Sequence, residues 1–427
     1  MNLETIALAI FVLTYLLIIS EMIHETVAAL IGALLMVIYR VVDYNTIGSL
    51  IDFKTLTVIL GIFIIVNIVD KSGLFEFLAL KLLKLTKGNP YKLLYGIAFL
   101  GFFISFIITE IPTTIILGTL IIKISKKLKI SPIPYLIIIA MVVDIGGLLT
   151  PVSSIQNIMI TTAVNIKFSE FTFFMLPLWL LIMISSMIFF RIYFRKDLSG
   201  EKITKEELQE LLNLDEKEEI KDWKLFKRSA FLLTLIIIFF FLQDITGIGI
   251  DAVAITGAIL MLLLSSANPD EILTKVEWSI LAFFIGIFIV ISGIEKVGLL
   301  AKFTAFISSY MHNTLSAILI LMIITAFVSS IMNNIPLVAL LIPIAKGITS
   351  TLGIQNNILF FGIATATCLG GNITPIGSPS NVLIIGMAQK EKHPISFNDF
   401  IKIGFRYTFL TLGIAFLYFA IRVLLKL

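Results

Sequence analysis

The chain predicts an all-α polytopic membrane protein of two inverted-topology repeats, each with a re-entrant hairpin and a broken, unwound transmembrane helix. Three observations lead there. First, 58% of the 427 residues are hydrophobic and 14% are charged, with mean hydropathy +1.05; soluble domains carry about 25% charge. Long apolar runs recur from end to end. Second, residues 24–163 return in order at an offset of 224 or 225. Ala28 to Met36 is echoed at Ala254 to Met261, Gly61-Ile62-Phe63-Ile64 at Gly286-Ile287-Phe288-Ile289, and Gly73-Leu74 at Gly298-Leu299. Ile111-Pro112 is echoed at Ile335-Pro336, Gly146-Gly147 at Gly370-Gly371, Thr150-Pro151 at Thr374-Pro375, and Asn157 at Asn381. Third, in each half proline, glycine and polar residues interrupt apolar segments at matching places, a pattern of duplicated transporters.

The remaining composition narrows the class. Glu4 stands where a secretory leader carries basic residues, so no cleaved signal is expected. The single cysteine, Cys368, excludes an intramolecular disulfide and a cysteine metal cluster. The net charge of +4 lies in loops, where it orients a membrane protein rather than binding nucleic acid. Only His24, His312 and His393 occur, and no nucleophile–base set or phosphate-binding loop is visible, so neither an enzyme nor an ATP-driven pump is expected. A pump would need a partner ATPase, which nothing indicates.

Apolar spans are expected at 5–20, 26–40 and 54–69, followed by an amphipathic stretch at 74–86. An apolar segment at 93–108 stops at Thr109-Glu110-Ile111-Pro112 and resumes at 113–124. Segment 133–164 is too long for one span and breaks at Gly146-Gly147 and Thr150-Pro151. A span at 171–194 closes the first repeat, residues 1–195. A charged cytoplasmic linker, 196–227, follows, in which Thr204 and Glu207 read as a capping box and Leu208, Leu211 and Leu212 as an apolar face. The second repeat, 228–427, carries 229–247, 250–266, 277–293, a connecting stretch 298–310, the pair 314–331 and 335–349, a broken segment 356–388, and a last span near 403–424.

Segments 93–124 and 314–349 read either as two full spans each or as hairpins with a polar tip at mid-membrane. Arms of about 14–18 residues are short for a span, and irregular backbone at depth needs cover from protein or a cavity. The hairpin is the better reading. Each half then crosses five times, and the repeats are inverted. Lys81, Lys84, Lys87, Lys92, Lys123, Lys126, Lys127, Lys129, Arg191, Arg195, Lys196, Lys390, Lys392 and Lys402 fall on the linker's face. Only Arg40, Lys54, Lys167, Lys296, Lys302 and Lys346 fall opposite. The positive-inside rule puts the linker in the cytoplasm and both termini outside the cell membrane.

Four polar clusters occupy what should be hydrocarbon. They are Thr109-Glu110 with Thr113 and Thr114; Gly147, Thr150, Ser153, Ser154, Gln156 and Asn157, preceded by Asp144; Ser329 to Asn334, including Asn333 and Asn334; and Gly371, Asn372, Thr374, Gly377, Ser378, Ser380 and Asn381. Broken helices free carbonyls for a cation and expose helix N-termini to an anion. Oxygen ligands suit Na⁺ or H⁺. Small polar residues can equally serve close helix packing, but two Thr-Pro breaks, each followed by Asn six residues on, mark a site. Glu110 and Asp144 are carboxylates inside the membrane and so candidates for proton coupling; their second-half counterparts are the neutral Asn334 and Cys368. The two Na⁺ candidates are Thr109, Glu110, Thr150 and Asn157, and Asn333, Asn334, Thr374 and Asn381. No other cofactor is expected.

Asn333-Asn334-Ile335-Pro336 and the run Gly370 to Asn381 resemble the ion transporter superfamily, and most of all its arsenite- and citrate-type permeases. The superfamily also includes NhaD-type sodium–proton antiporters, the melanosomal P protein and divalent-anion/sodium symporters. The resemblance implies two re-entrant hairpins, two unwound helices, a homodimer, and a mobile transport part moving against a scaffold in an elevator-like way. Symporter relatives carry Ser-Asn-Thr at both hairpin tips; Thr109-Glu110-Ile111 and Asn333-Asn334-Ile335 stand here instead. The expected function is secondary transport of a small anion or oxyanion-type solute, arsenite- or carboxylate-like, coupled to H⁺ or Na⁺. A Na⁺/H⁺ antiporter is the alternative, and an ion channel a weaker one.

Overall fold

The computed structural model describes residues 2–20, 22–199, 204–213, 215–220, 222–354 and 356–425, and among them every regular element is helical. Among the described residues six helices are long and apolar enough to cross a membrane: Leu3–Ser20, Phe53–Lys71, Phe168–Tyr193, Trp278–Lys296, Asn334–Leu352 and Phe397–Leu424.

The helices sort into two groups by packing. A frame joins Leu3–Ser20, Glu25–Ile38, Phe53–Lys71, Trp223–Phe241, Ile250–Leu264 and Trp278–Lys296. A cluster joins the helix pairs Pro90–Ser105/Glu110–Leu128 and Thr314–Ser329/Asn334–Leu352 to the broken helices Ile133–Gly146/Ile155–Val164 and Ile358–Gly370/Pro379–Lys390. Phe168–Tyr193 and Phe397–Leu424 flank the cluster.

The frame is built by reciprocal exchange. Glu25–Ile38 packs on Trp278–Lys296, and the matching helix Ile250–Leu264 packs on Phe53–Lys71. Both contacts rest on a glycine. A Cβ at Gly286 would lie 2.7 Å from the Ala29 carbonyl carbon, and one at Gly61 would lie 2.7 Å from that of Ala254. Small residues let helix backbones approach this closely. Gly286→Leu is therefore expected to lower stability by about 1–3 kcal/mol or more, because backbone cannot yield as a side chain can. A thermal melt in detergent reads this, and an unchanged midpoint would refute the close-approach account.

Direction follows from the same contacts. Glu25–Ile38 and Trp278–Lys296 run parallel. Thr26 Oγ1 donates to the Ser279 carbonyl at 2.9 Å near their starts, and Met36 faces Gly293 near their ends. The matched helices Phe53–Lys71 and Trp278–Lys296 run oppositely. Asp52 and Thr55 share a pocket with Ser292 and Glu295, whereas Lys71 pairs with Glu271, ahead of Trp278.

The linker is fastened to one end of the molecule. Its helix Lys205–Leu212 packs on Glu110–Leu128 and its turn Glu216–Glu219 on Leu74–Lys84. Lys84 pairs with Glu216 at 2.7 Å and Lys123 with Glu219 at 2.9 Å. The hydrogen bond from Lys84 holds the Glu216 carboxyl below its usual range. Lys126 meets Glu391 at 2.5 Å. Lys84, Lys123 and Lys126 thus gather acidic partners from the linker and from the end of Pro379–Lys390. Away from it, Lys302 pairs with Glu4 at 2.5 Å and Lys54 donates to Asn165 at 3.0 Å. The side chains of Glu207, Leu208 and Leu211, on which the capping box and apolar face rest, lie outside the described residues.

Several boundaries depart from the hydropathy pattern because caps set them. The helix expected from 229 starts at Trp223, where Asp222 accepts from the Lys224 and Leu225 N–H groups at 2.7 and 3.3 Å. The last helix starts at Phe397, six residues early, with Ser396 accepting from the Asp399 N–H at 3.1 Å. Short helices at Ile47–Leu50 and Pro269–Thr274 were not expected. The second arms, Glu110–Leu128 and Asn334–Leu352, have 19 residues each, longer than the expected 14–18. At 1.5 Å per residue each reaches about 28 Å, so arm length does not separate a hairpin from two spans.

Candidate transport site

The two helix breaks, 147–154 and 371–378, fold alike because the same residues tie them. Asn157 Nδ2 donates to the Gly147 and Thr150 carbonyls at 2.9 and 3.1 Å. Asn381 Nδ2 donates to those of Gly371 and Thr374 at 3.0 and 3.1 Å. Each Thr hydroxyl then reaches a helix-pair tip: Thr150 to the Phe106 carbonyl at 3.0 Å, and Thr374 to that of Ser330. Ser153 Oγ also donates into its break, to the Gly147 and Thr150 carbonyls. Gly377 takes its place in the second break, where the turn closes so tightly that a Cβ would strike the Gly371 carbonyl oxygen. Ser154 and Ser378 cap the helices that resume, accepting from the Asn157 and Ser380 N–H groups.

The tips differ more. Glu110 opens the second arm of the first pair after Thr109, which makes no side-chain cap bond. Thr113 and Thr114 return their hydroxyls to the Thr109 and Glu110 carbonyls at 3.1 and 2.8 Å. In the second pair Asn334 Oδ1 accepts from Ser329 Oγ at 2.7 Å. Asn333 accepts from the Ile335 N–H at 3.2 Å and donates to Glu25 of the frame at 2.9 Å.

Between the halves lies an acidic pair deep in the cluster. Asp144, 3% exposed, accepts at Oδ1 from Ser380 Oγ at 2.7 Å and Ser378 Oγ at 2.9 Å. Half-buried Glu110 stands within hydrogen-bonding reach of it, while Asp144 Oδ2 has no donor. Two carboxylates in contact need a proton or a cation between them. The mirrored position is neutral: Gln156, matching Ser380, donates to Cys368 Sγ at 3.7 Å, and Cys368 matches Asp144.

Other buried acceptors are unpartnered. Asn157 Oδ1, Asn381 Oδ1 and Asn372 Oδ1 accept nothing, although Asn372 Nδ2 donates to the Met141 carbonyl at 3.0 Å. Each such group costs about 1–3 kcal/mol if left dry. Across both breaks and Asp144 the surplus is of oxygen acceptors, matching a cation, a proton or a hydroxyl-bearing solute. Among the described residues no group of three or more His, Cys, Asp and Glu gathers as for a tightly held metal.

The halves also differ in cover. Ile158 is 1% exposed and Val152 7%, but their matches Val382 and Ile376 are 54% and 48% exposed. Thr162 Oγ1 touches Thr55 Oγ1 of the frame at 2.5 Å, whereas a Cβ at the matching Gly386 would meet nothing within 4 Å. Ile155–Val164 packs on Phe53–Lys71; Pro379–Lys390 has no comparable packing on Trp278–Lys296.

Of the residues singled out by sequence, the structure joins Glu110, Asp144, Ser378 and Ser380 in one cluster. Thr150, Ser153 and Asn157 hold one break, and Thr374 and Asn381 the other. Asn333 turns away to Glu25. Glu25 and Glu277 were missed. Both stand at ends of apolar runs, where a carboxylate reads as a boundary marker.

Paired helix breaks, polar tips and a deep acidic pair in a multi-pass helical protein define a membrane transporter. Comparison gives the particular family: the chain belongs to the citrate transporter (CitMHS) family, whose pattern it matches over residues 15–364 and 313–427. It is similar to a 46 kDa membrane protein of Mycobacterium leprae, 27% identical with 99% of each chain covered. An uncharacterized transporter of Synechocystis is 28% identical, with 97% and 96% covered. The human P protein is 25% identical over 94% of this chain, which spans 58% of that protein. In fold it resembles the Alcanivorax borkumensis YdaH transporter (TM-score 0.64, 14% identity, 90% and 88% covered). It also resembles Neisseria gonorrhoeae MtrF (TM-score 0.61, 17% identity, 92% and 84% covered).

Proposed function

We propose that the chain is a secondary active transporter that moves a small carboxylate or oxyanion-type solute, citrate- or arsenite-like, coupled to H⁺ or Na⁺ at Glu110 and Asp144. One observation carries this: two carboxyls from different segments meet between the halves, with Asp144 Oδ2 unpartnered and Oδ1 held by serines of the other half. The helix N-termini after Ser154 and Ser378 offer N–H groups to the solute's oxygens. The carbonyls and Asn oxygens of the breaks suit Na⁺.

Residues 1–195 and 228–427 are the two inverted repeats, the linker is cytoplasmic, and the helix pairs are re-entrant hairpins. The antiparallel run of Phe53–Lys71 and Trp278–Lys296 supports this, as does the lysine-rich end where the linker docks. The cluster moves as a unit against the frame, and the uncovered face of Pro379–Lys390 corresponds to a state open on the linker side.

A second reading, a Na⁺/H⁺ antiporter, draws on the surplus of buried acceptors and on the absence of a buried Lys or Arg among the described residues. Flux in proteoliposomes with an imposed Na⁺ or pH gradient, with citrate, arsenite and dicarboxylates offered in turn, separates them. Proton movement that requires an added solute is the expected result. Proton release on adding Na⁺ alone would establish the antiporter instead.

A further inference from the structure

The frame grips the second helix-pair tip with two side chains from two different helices. Tyr15, on Leu3–Ser20, is 8% exposed, and its hydroxyl donates to the Pro336 carbonyl at 3.0 Å. Pro336 lies in the first turn of Asn334–Leu352, just past the tip. Glu25, which opens Glu25–Ile38, accepts from Asn333 Nδ2 at 2.9 Å in the same tip. Asn333 works at both ends of its amide, because its Oδ1 accepts from the Ile335 N–H at 3.2 Å and caps the arm. The start of that arm is thereby tied to the frame.

The repeat shows that this grip is one-sided. On the first tip, Thr109 matches Asn333 and Pro112 matches Pro336. On the frame, Ile250 matches Glu25 at the offset of 225. Tyr15 falls on Phe239 or Phe240 at offsets of 224 and 225. Neither isoleucine nor phenylalanine carries a side-chain donor or acceptor. Were the cluster to exchange its position, so that the frame met the first tip as it now meets the second, neither bond could be remade.

We propose that Tyr15 and Glu25 form a latch on the second tip that favours the present position of the cluster over the exchanged one, which has no counterpart latch. The inference rests on the movement of the cluster against the frame given above. Leaving the present position strips the Tyr15 hydroxyl and the Glu25 carboxylate of partners on the tip. The Glu25 bond is the stronger of the two, because its acceptor is charged. The latch thus sets where the unloaded carrier rests, and binding of solute and cation must offset it in each cycle.

The position of the cluster can be read from two matched residues. Val382 is 54% exposed and its match Ile158 is 1% exposed; exchange reverses this. Val382→Cys and Ile158→Cys, made one at a time, report it through their rates of reaction with a water-soluble maleimide in proteoliposomes, the native Cys368 being buried. The ratio of the first rate to the second is expected to fall about threefold or more in Tyr15→Phe, and about tenfold in Glu25→Ala. Asn333→Asp should act like Glu25→Ala, since it keeps an acceptor for the Ile335 N–H but sets a carboxylate against Glu25. Glu25→Gln, whose amide oxygen still accepts from Asn333, should restore part of the ratio, which a loss of folding would not allow. A ratio unchanged in these variants, while the parent ratio still shifts on adding solute or cation, would overturn the latch and reduce both bonds to packing contacts. A parent ratio that responds to neither, with flux intact, would sink the moving cluster itself, and the latch with it.

Discussion

Glu110→Gln is expected to abolish coupled transport, lowering proton-driven flux by at least about a hundredfold, while the protein still folds. Glu110 lies against Asp144, so only a proton or a cation makes that contact favourable. An amide can hydrogen-bond to Asp144 but can neither take up nor release a proton. The fold should tolerate the change because the second half carries neutral residues at the matching positions: Asn334 matches Glu110 and Cys368 matches Asp144. Asp144 also keeps Ser378 and Ser380 whatever stands at 110. The measurement is solute-dependent acidification of vesicles, beside a thermal melt of the same preparation. If the variant retains both flux and its pH dependence, the pair is not the coupling site.

The second large effect concerns movement. Thr55 and Thr162 touch across the boundary between frame and cluster; their matches, Ile280 and Gly386, do not. If the cluster travels so that the halves exchange their arrangements, residues 280 and 386 will approach as 55 and 162 do now. Ile280→Cys with Gly386→Cys should then form a disulfide during turnover, since the bond needs Cα atoms within about 4.4–6.8 Å. Once formed, it should stop transport almost completely, with activity regained on reduction. Thr55→Cys with Thr162→Cys should link the opposite state. The only native thiol, Cys368, is buried, so the products are readily assigned by peptide mapping. Failure of the 280–386 pair to link under turnover, with 55–162 linking freely, would contradict a moving cluster.

Much of this was legible in the sequence because apolar periodicity and repeat offsets are local or self-referential signals. The breaks at Gly147–Ser154 and Gly371–Ser378 announced themselves through Thr-Pro and the following Asn, and those same residues tie the backbone there. Other features were not legible, for distinct reasons. The Ser380–Asp144 bond joins residues 236 apart, and no one-dimensional pattern encodes which break faces which carboxylate. The helix starts at Trp223 and Phe397 were missed because side-chain caps outweigh hydropathy there. Glu277 and Asp52 look alike in the aligned repeats, yet Asp52 accepts from the Thr55 N–H at 3.1 Å whereas Glu277 makes no cap bond to its own helix.

The glycine contacts of the frame carry one more implication. Ala29 on Gly286 and Ala254 on Gly61 are the same contact made twice, with the partners exchanged. If the cluster moves as proposed, a frame that makes the same contact twice would support its two extreme positions to a similar degree. On that proposal, a free-energy bias between the two positions would come from places where the repeats have diverged, among them Glu110 against Asn334, Asp144 against Cys368, and Glu277 against Asp52. A few kcal/mol at such places sets which state dominates. Under the proposed function, loading or unloading one cation at the acidic pair would be a perturbation of that order, so cargo itself would decide which side of the membrane the carrier faces.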